Sequence, residues 1–180
     1  MKHLASGCSE LAKKQYRIRH DKVGSRIRWE LCRKYGIECA SKWYDHVPNR
    51  VCKSKDGLFE LYWDRKILTG YGIEFTKPDL VIVDRVNKKW TIVDFCIPWD
   101  GNVNARENEK KEKYSPLAEK IHSTFKVKTE TIPIVIGALG TVPKRLQGFL
   151  YDLGVPDVIG CMQTCALLGT QRILKNSLSI

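Results

Sequence analysis

The feature that most constrains the fold is the run KPDLVIVDRVNKKWTIVDFCIPWD, Lys77 to Asp100. Two β-branched apolar segments, LVIV and TIVDFCI, flank the polar stretch RVNKK, the pattern of a hairpin. Both segments read as buried strands. Yet Asp79 stands at the mouth of the first and Asp94 in the middle of the second. Pairing about the midpoint of the turn sets Asp84 opposite Lys89 and Asp79 opposite Asp94. Opposed side chains on one face have Cβ atoms roughly 5 Å apart. Two carboxylates that close repel, and a semi-buried pair is costly. A divalent cation relieves the repulsion, and Mg²⁺ takes one or two carboxylates together with water and substrate phosphate oxygens. The competing reading makes Asp79 a strand-edge cap after Pro78 and pairs Asp94 with a nearby lysine.

The rest of the chain arranges itself around that hairpin. A helix is expected over residues 9–35, where Val23, Ile27, Leu31 and Tyr35 recur at helical spacing and Gly36 sits where a helix ends. Residues 40–57 read as a connector, and 58–69, 79–84 and 90–97 as strands. A helix fits 103–125, broken or restarted at Pro116. TIPIVIGAL (131–139) reads as a strand buried on both faces, and 143–151 and 158–176 as closing helices. The Gly137–Gly140 stretch reads as a tight turn. This order predicts an α/β fold, a mixed sheet flanked by helices, with an N-terminal helical extension. The expected division is a basic helical segment over 1–50 and the α/β domain over 51–180.

Charge narrows the partners. Lys and Arg number 31 against 20 Asp and Glu, a formal charge of +11. That excess points to nucleic acid. No apolar run approaches about 18 residues, so no membrane span is expected, and the N-terminus lacks the apolar stretch of a secretory signal. Seven scattered cysteines read as reduced thiols of an intracellular protein.

The helix after the hairpin bears on the aspartates. Tyr114, Leu117, Ala118, Ile121 and Phe125 mark its inward face, and stepping back along that stripe reaches Lys110, Glu107 and Val103. Lys110 therefore points at the sheet, where an apolar residue is the norm, and Lys113 lies one turn on. A lysine aimed at two acids can orient or deprotonate an attacking water and offset charge on a phosphate transition state. The plainer reading is a solvated charged stretch. On the first helix Arg19, Lys22, Arg26 and Arg33 share helical spacing with Trp29 among them, either a stripe that tracks phosphates or an ordinary solvated face. Lys110, Lys111, Lys113, Lys126 and Lys128 are expected to add positive charge near the acids.

Lys77-Pro78-Asp79, then Asp94, then Glu109-Lys110-Lys111-Glu112-Lys113-Tyr114 resembles the restriction-like endonuclease domain that closes the single open reading frame of certain site-specific non-LTR retrotransposons. IPIVIGALGTVPK (132–144) and ALLGTQRILK (166–175) resemble the same region. His3-Leu-Ala-Ser-Gly-Cys8, with LAKKQYRIRHDKV and WELCRKYGIECASKWYDH, resembles the segment just upstream. The resemblance implies a PD-(D/E)XK-type core that nicks target DNA so that the new 3′ end primes reverse transcription. It implies Mg²⁺ (or Mn²⁺) held by Asp79 and Asp94, Lys110 as catalytic lysine, and Lys113 and Tyr114 in support. Lys77 and Tyr114 join Arg19, Lys22, Arg26 and Arg33 as nucleic-acid contacts. In the common motif the lysine lies two residues after the second acid. Cys96 stands there, so the helix has to supply it. The implied partners are target DNA, element RNA and an upstream reverse transcriptase, in the nucleus. His3 and Cys8 match half of a zinc knuckle, so zinc enters only if cysteines upstream complete the four ligands. The alternative is a catalytically inactive nucleic-acid-binding remnant.

Overall fold

A computed structural model describes residues 1–68 and 72–178. Its elements alternate as an α/β fold: short helices α1 (Lys2–Ser6) and α2 (Ser9–Leu11), a π-helical turn (Ala12–Tyr16), α3 (Arg17–Lys34), strands β1 (Val51–Lys53), β2 (Phe59–Trp63), β3 (Leu80–Asp84) and β4 (Lys89–Cys96), helix α4 (Val103–Phe125), β5 (Lys128–Val135), and helices α5 (Leu146–Leu153) and α6 (Ile159–Leu178). The five strands form one sheet in the order β1-β2-β3-β4-β5. The first four pair antiparallel. Lys128 N donates to Lys88 O at 2.8 Å and Ile136 N to Cys96 O at 3.1 Å. Equal steps along both strands make β5 parallel to β4, so the sheet is mixed and helices flank it, as the sequence predicts.

The hairpin forms in the expected register, with Asp84 opposite Lys89 and Leu80 opposite Val93. Its turn is organised by Asp84, whose Oδ1 accepts from Asn87 N at 2.9 Å and Oδ2 from Asn87 Nδ2 at 2.7 Å. Helix α3 ends near Gly36, at φ +61°.

Four expectations shift. The connector 40–57 contains β1. The strand expected over 58–69 ends at Trp63, and residue 69 lies outside the described residues. β5 begins at Lys128, three residues earlier than expected, and its first half is only partly buried. It is a terminal strand of the sheet, where Pro133 can omit a ladder N–H. Helix α4 runs unbroken through Pro116.

The chain clusters into two compact units. One takes Met1–Arg28, Phe95–Glu107 and Ile134–Ile180; the other takes Trp29–Asp94 and Asn108–Pro133. In the second unit, Val81, Val83 and Ile92 from one face of the sheet join Tyr114, Leu117 and Ile121 of α4 and Ile67 in an apolar cluster. β3 is buried on both faces, which explains its unbroken β-branched sequence. In the first unit, Arg19 is 3% exposed. Its guanidinium donates to Ala5 O (2.9 Å), Thr170 Oγ1 (2.6 Å) and Ile97 O (3.2 Å), and Thr170 passes the chain of bonds to Ala138 O. Gly169 lets this happen: a Cβ there would stand 2.5 Å from Arg19 Cγ. No helix among the described residues is long and apolar enough to cross a membrane, and all seven cysteines are free thiols.

Candidate active site

The site lies in the second unit, at the end of the sheet opposite the β3–β4 turn. Period-two alternation puts Trp90, Ile92 and Asp94 on the face of β4 that α4 covers. Ile92 belongs to the apolar cluster there, so Asp94 carries a carboxylate into the edge of that cluster and is 2% exposed. One step beyond Leu80 and Val93, the register carries Asp79 to Asp94. Asp79 is half-buried, and its backbone is fixed where Asp64 N donates to Asp79 O at 2.8 Å.

Helix α4 brings down two groups. Lys110 Nζ lies 2.5 Å from Asp94 Oδ2, with side-chain exposures of 17% and 3%. That oxygen is buried and finds no partner at hydrogen-bond angles. At 2.5 Å no water fits between, so charge pairing is the interaction that counts. One turn on, Tyr114 is 1% exposed. Its hydroxyl donates to Lys77 O at 3.3 Å and lies beside Asp94.

The electrostatics follow from the packing. Burial, and after it the charge of Asp79, push the Asp94 carboxyl above its ordinary value of 3.8, against the pull of Lys110 and Tyr114. Burial, then the Asp94 charge, push the Tyr114 phenol up. At Asp94, burial and the neighbouring Asp79 thus outweigh the pull of Lys110 and Tyr114. Among the described residues no cluster of three or more His, Cys, Asp or Glu side chains is arranged to hold a metal. Asp79 and Asp94 are the two carboxylates here that could hold a cation, and Mg²⁺ takes one or two carboxylates with water and phosphate oxygens.

The other expected residues fall into place unevenly. Lys113 Nζ sits over the rings of Phe75 (5.0 Å) and Tyr114 (4.6 Å), so Lys110 is the ammonium on Asp94. Lys77 Nζ pairs with Asp64 Oδ1 at 2.7 Å, and its carbonyl anchors Tyr114. Tyr114 itself is a core residue rather than a surface contact, because its ring fills the space between α4 and the sheet. Lys22 and Arg33 are exposed and Arg26 is half-buried; Arg33 lies over the Trp29 ring at 4.8 Å. Arg19 is a correction, since its guanidinium is buried on protein acceptors and cannot reach a phosphate. Lys126 and Lys128 are another. Lys128 N bonds to Lys88 O, which puts both lysines at the turn end of β4, about 20 Å of strand away from Asp94.

The sequence reading passed over Asp64 and Glu60. Glu60 is buried and bound by Arg85 (2.5 Å), Tyr62 (2.9 Å) and Lys53 (3.4 Å). Burial raises its pKa, but the Arg85 and Tyr62 hydrogen bonds outweigh that and hold it below the ordinary value. An acid at an inward strand position, two residues before a tyrosine on the same face, was the available signal.

No protein-family model matches the chain, and no curated protein does. Among solved structures it is similar to an N-terminal domain of a reptarenavirus L protein, at 14% identity and a TM-score of 0.41, covering 88% of this chain and 78% of that one. At that similarity the chemistry has to come from the residues themselves.

Proposed function

We propose that this chain is a divalent-metal-dependent DNA endonuclease of the restriction-like type, the nicking domain of a non-LTR retrotransposon polyprotein whose cut primes reverse transcription. The observation that carries the reading is Lys110 Nζ set 2.5 Å from the buried Asp94 carboxylate, with Asp79 across the hairpin. Three separated stretches of sequence supply those groups at the edge of an apolar cluster. The resemblance of Lys77–Asp94 and Glu109–Tyr114 to retrotransposon endonucleases supports the same reading, as does the +11 charge. Target DNA is the substrate, and element RNA and an upstream reverse transcriptase are the partners it implies.

Asp79 and Asp94 would hold Mg²⁺ or Mn²⁺, which when bound supplies Lewis-acid stabilisation of the phosphate and an acidified water. The chain's own groups do the rest. Asp94 and Asp79 would act on the scissile phosphate only by holding that cation, since two carboxylates repel a phosphate. Lys110, the cation on Asp94, offsets charge that develops on the phosphate oxygens as water adds to phosphorus and the bond to the 3′ oxygen breaks. Tyr114, tied to Lys77 O, keeps α4 and the mouth of β3 in register.

A plasmid-nicking assay with Mg²⁺ or Mn²⁺ tests this. Wild type should convert supercoiled DNA to open circles, while Asp94→Ala and Lys110→Ala should lose about 100-fold or more of that rate. If none cuts while each retards DNA in a gel, the reading gives way to a nucleic-acid-binding remnant; if all three cut alike, Asp94 and Lys110 are not the catalytic groups.

A further inference from the structure

The turn end of the sheet carries a cleft that the acid pair does not explain. It has a volume of 620 Å³ and is lined by Asn87, Lys89, His122, Lys128, Thr129 and Glu130. It is bordered by the β3–β4 turn, the end of α4 and the start of β5, which are tied to one another. Lys128 N donates to Lys88 O at 2.8 Å, Lys126 N to His122 O at 3.0 Å, and the His122 ring bonds to Val127 O through Nδ1 at 2.8 Å. Thr129 Oγ1 donates to Ala118 O at 3.0 Å.

The carboxylates here are already engaged. Glu130 takes Lys89 at 2.5 Å and Thr91 at 3.2 Å, and Asp84 takes Asn87 through both oxygens. Among the described residues no carboxylate pairs with Lys88, Lys126 or Lys128, and all three are exposed. Lys88 (φ +49°) and Lys126 (φ +54°) also occupy left-handed backbone, where glycine or asparagine is the ordinary choice. Lys128 lines the cleft, Lys88 lies between the lining residues Asn87 and Lys89, and Lys126 is two residues before Lys128, so three exposed charges gather at this end of the sheet.

We propose that this cleft is a second phosphate-binding site, which grips the backbone of duplex DNA away from the cut. It rests on the nuclease reading for its substrate. Lys88 immediately precedes β4 (Lys89–Cys96) and is six residues before Asp94, so the cleft stands about 20 Å from the acids. At 3.4 Å per base pair that is about 6 base pairs of duplex. The site contributes affinity and placement of the duplex without reading sequence.

The test is the salt dependence of binding to a duplex, by fluorescence anisotropy in a metal-free buffer. The comparison is between wild type, Lys88→Gln/Lys126→Gln/Lys128→Gln, and the corresponding triple arginine variant, with circular dichroism melting to check folding. Each lost phosphate contact lowers the slope of log K against log salt by about 0.9. The glutamine triple should lose 2 to 3 from the slope, and the arginine triple should keep it. Shortening one arm of the duplex below about 6 base pairs should reduce the wild-type slope to that of the glutamine triple. An unchanged slope in the glutamine triple overturns the assignment, whatever that variant loses toward phosphatidylserine vesicles. The two readings fail separately. A wild type that never nicks, but whose slope falls in the glutamine triple, defeats the nuclease and leaves the cleft. A nicking enzyme with an unaltered slope does the reverse.

Discussion

Asp94 is 2% exposed and shares its pocket with a second carboxylate, so its charge works against the fold. Burial and Asp79 raise its pKa above 3.8, and Lys110 and Tyr114 only partly compensate. A carboxyl with a raised folded pKa binds protons more tightly in the native state than in the unfolded one. Its contribution to stability is therefore fully present below about pH 4 and is lost as pH rises through the folded value. Asp94→Asn removes that dependence. In urea titrations from pH 4 to pH 8, the variant should be at least as stable as wild type at the upper end. It should also show a flatter fall of stability with pH, while losing nicking activity. A variant markedly less stable at pH 8 would mean that the Lys110 pair outweighs burial and repulsion. At this scale the sequence was readable where periodicity alone decides: Asp94 breaks an apolar alternation, and Lys110 occupies an inward helical step. The same stepping from Val23, Ile27 and Leu31 lands on Arg19, which is just as inward. Its acceptors, Ile97 O and Thr170 Oγ1, lie 78 and 151 residues away. Local spacing gives no sign of such partners, so Arg19 reads with its neighbours as part of a stripe that tracks phosphates or faces solvent.

Helix α4 carries Lys110 and the core residue Tyr114 on one stripe, so its continuity fixes their spacing. Pro116 sits inside it. The proline ring removes one N–H and crowds the carbonyl four residues before it, that of Glu112, at a nominal 3 kcal/mol or so in a helix interior. The inward residues Tyr114, Leu117 and Ile121 hold the helix together regardless, which is why the break expected from the sequence does not occur: tertiary burial overrides a local penalty. Pro116 is exposed, so Pro116→Ala loses no core contact and restores the bond. It should stabilise the protein by about 1–3 kcal/mol in chemical denaturation, with nicking unchanged. Loss of stability would show that the chain relies on a bend at that point. The elements missed or displaced in the sequence reading share a cause. β1 is three residues long and exists only through its pairing with β2. The start of β5 is polar, so its hydrophobic pattern begins after the strand does.

Across the whole chain, some positive charge is buried in the fold and the rest faces solvent, and a count of +11 cannot separate them. Arg19 belongs to the first kind. Burial lowers its pKa to about 10, and it gathers Ala5, Ile97 and Thr170 around one guanidinium in the first unit. Removing it leaves three acceptors without donors, each about 1 kcal/mol or more. Arg19→Ala should therefore lose about 3 kcal/mol of stability. Gly169→Ala gives an independent check. Alanine gains about 1 kcal/mol of helix propensity over glycine, yet here its Cβ would press within 2.5 Å of Arg19 Cγ, so the substitution should destabilise instead. Lys22 and Arg33, both exposed, behave oppositely if they contact DNA. Lys22→Gln and Arg33→Gln should leave stability within about 0.5 kcal/mol, while each lowers the salt slope of DNA binding by up to about 0.9. Should Arg19→Ala instead keep its stability and lose slope, its guanidinium would have to reach phosphate, and the buried network that organises the first unit would be wrong.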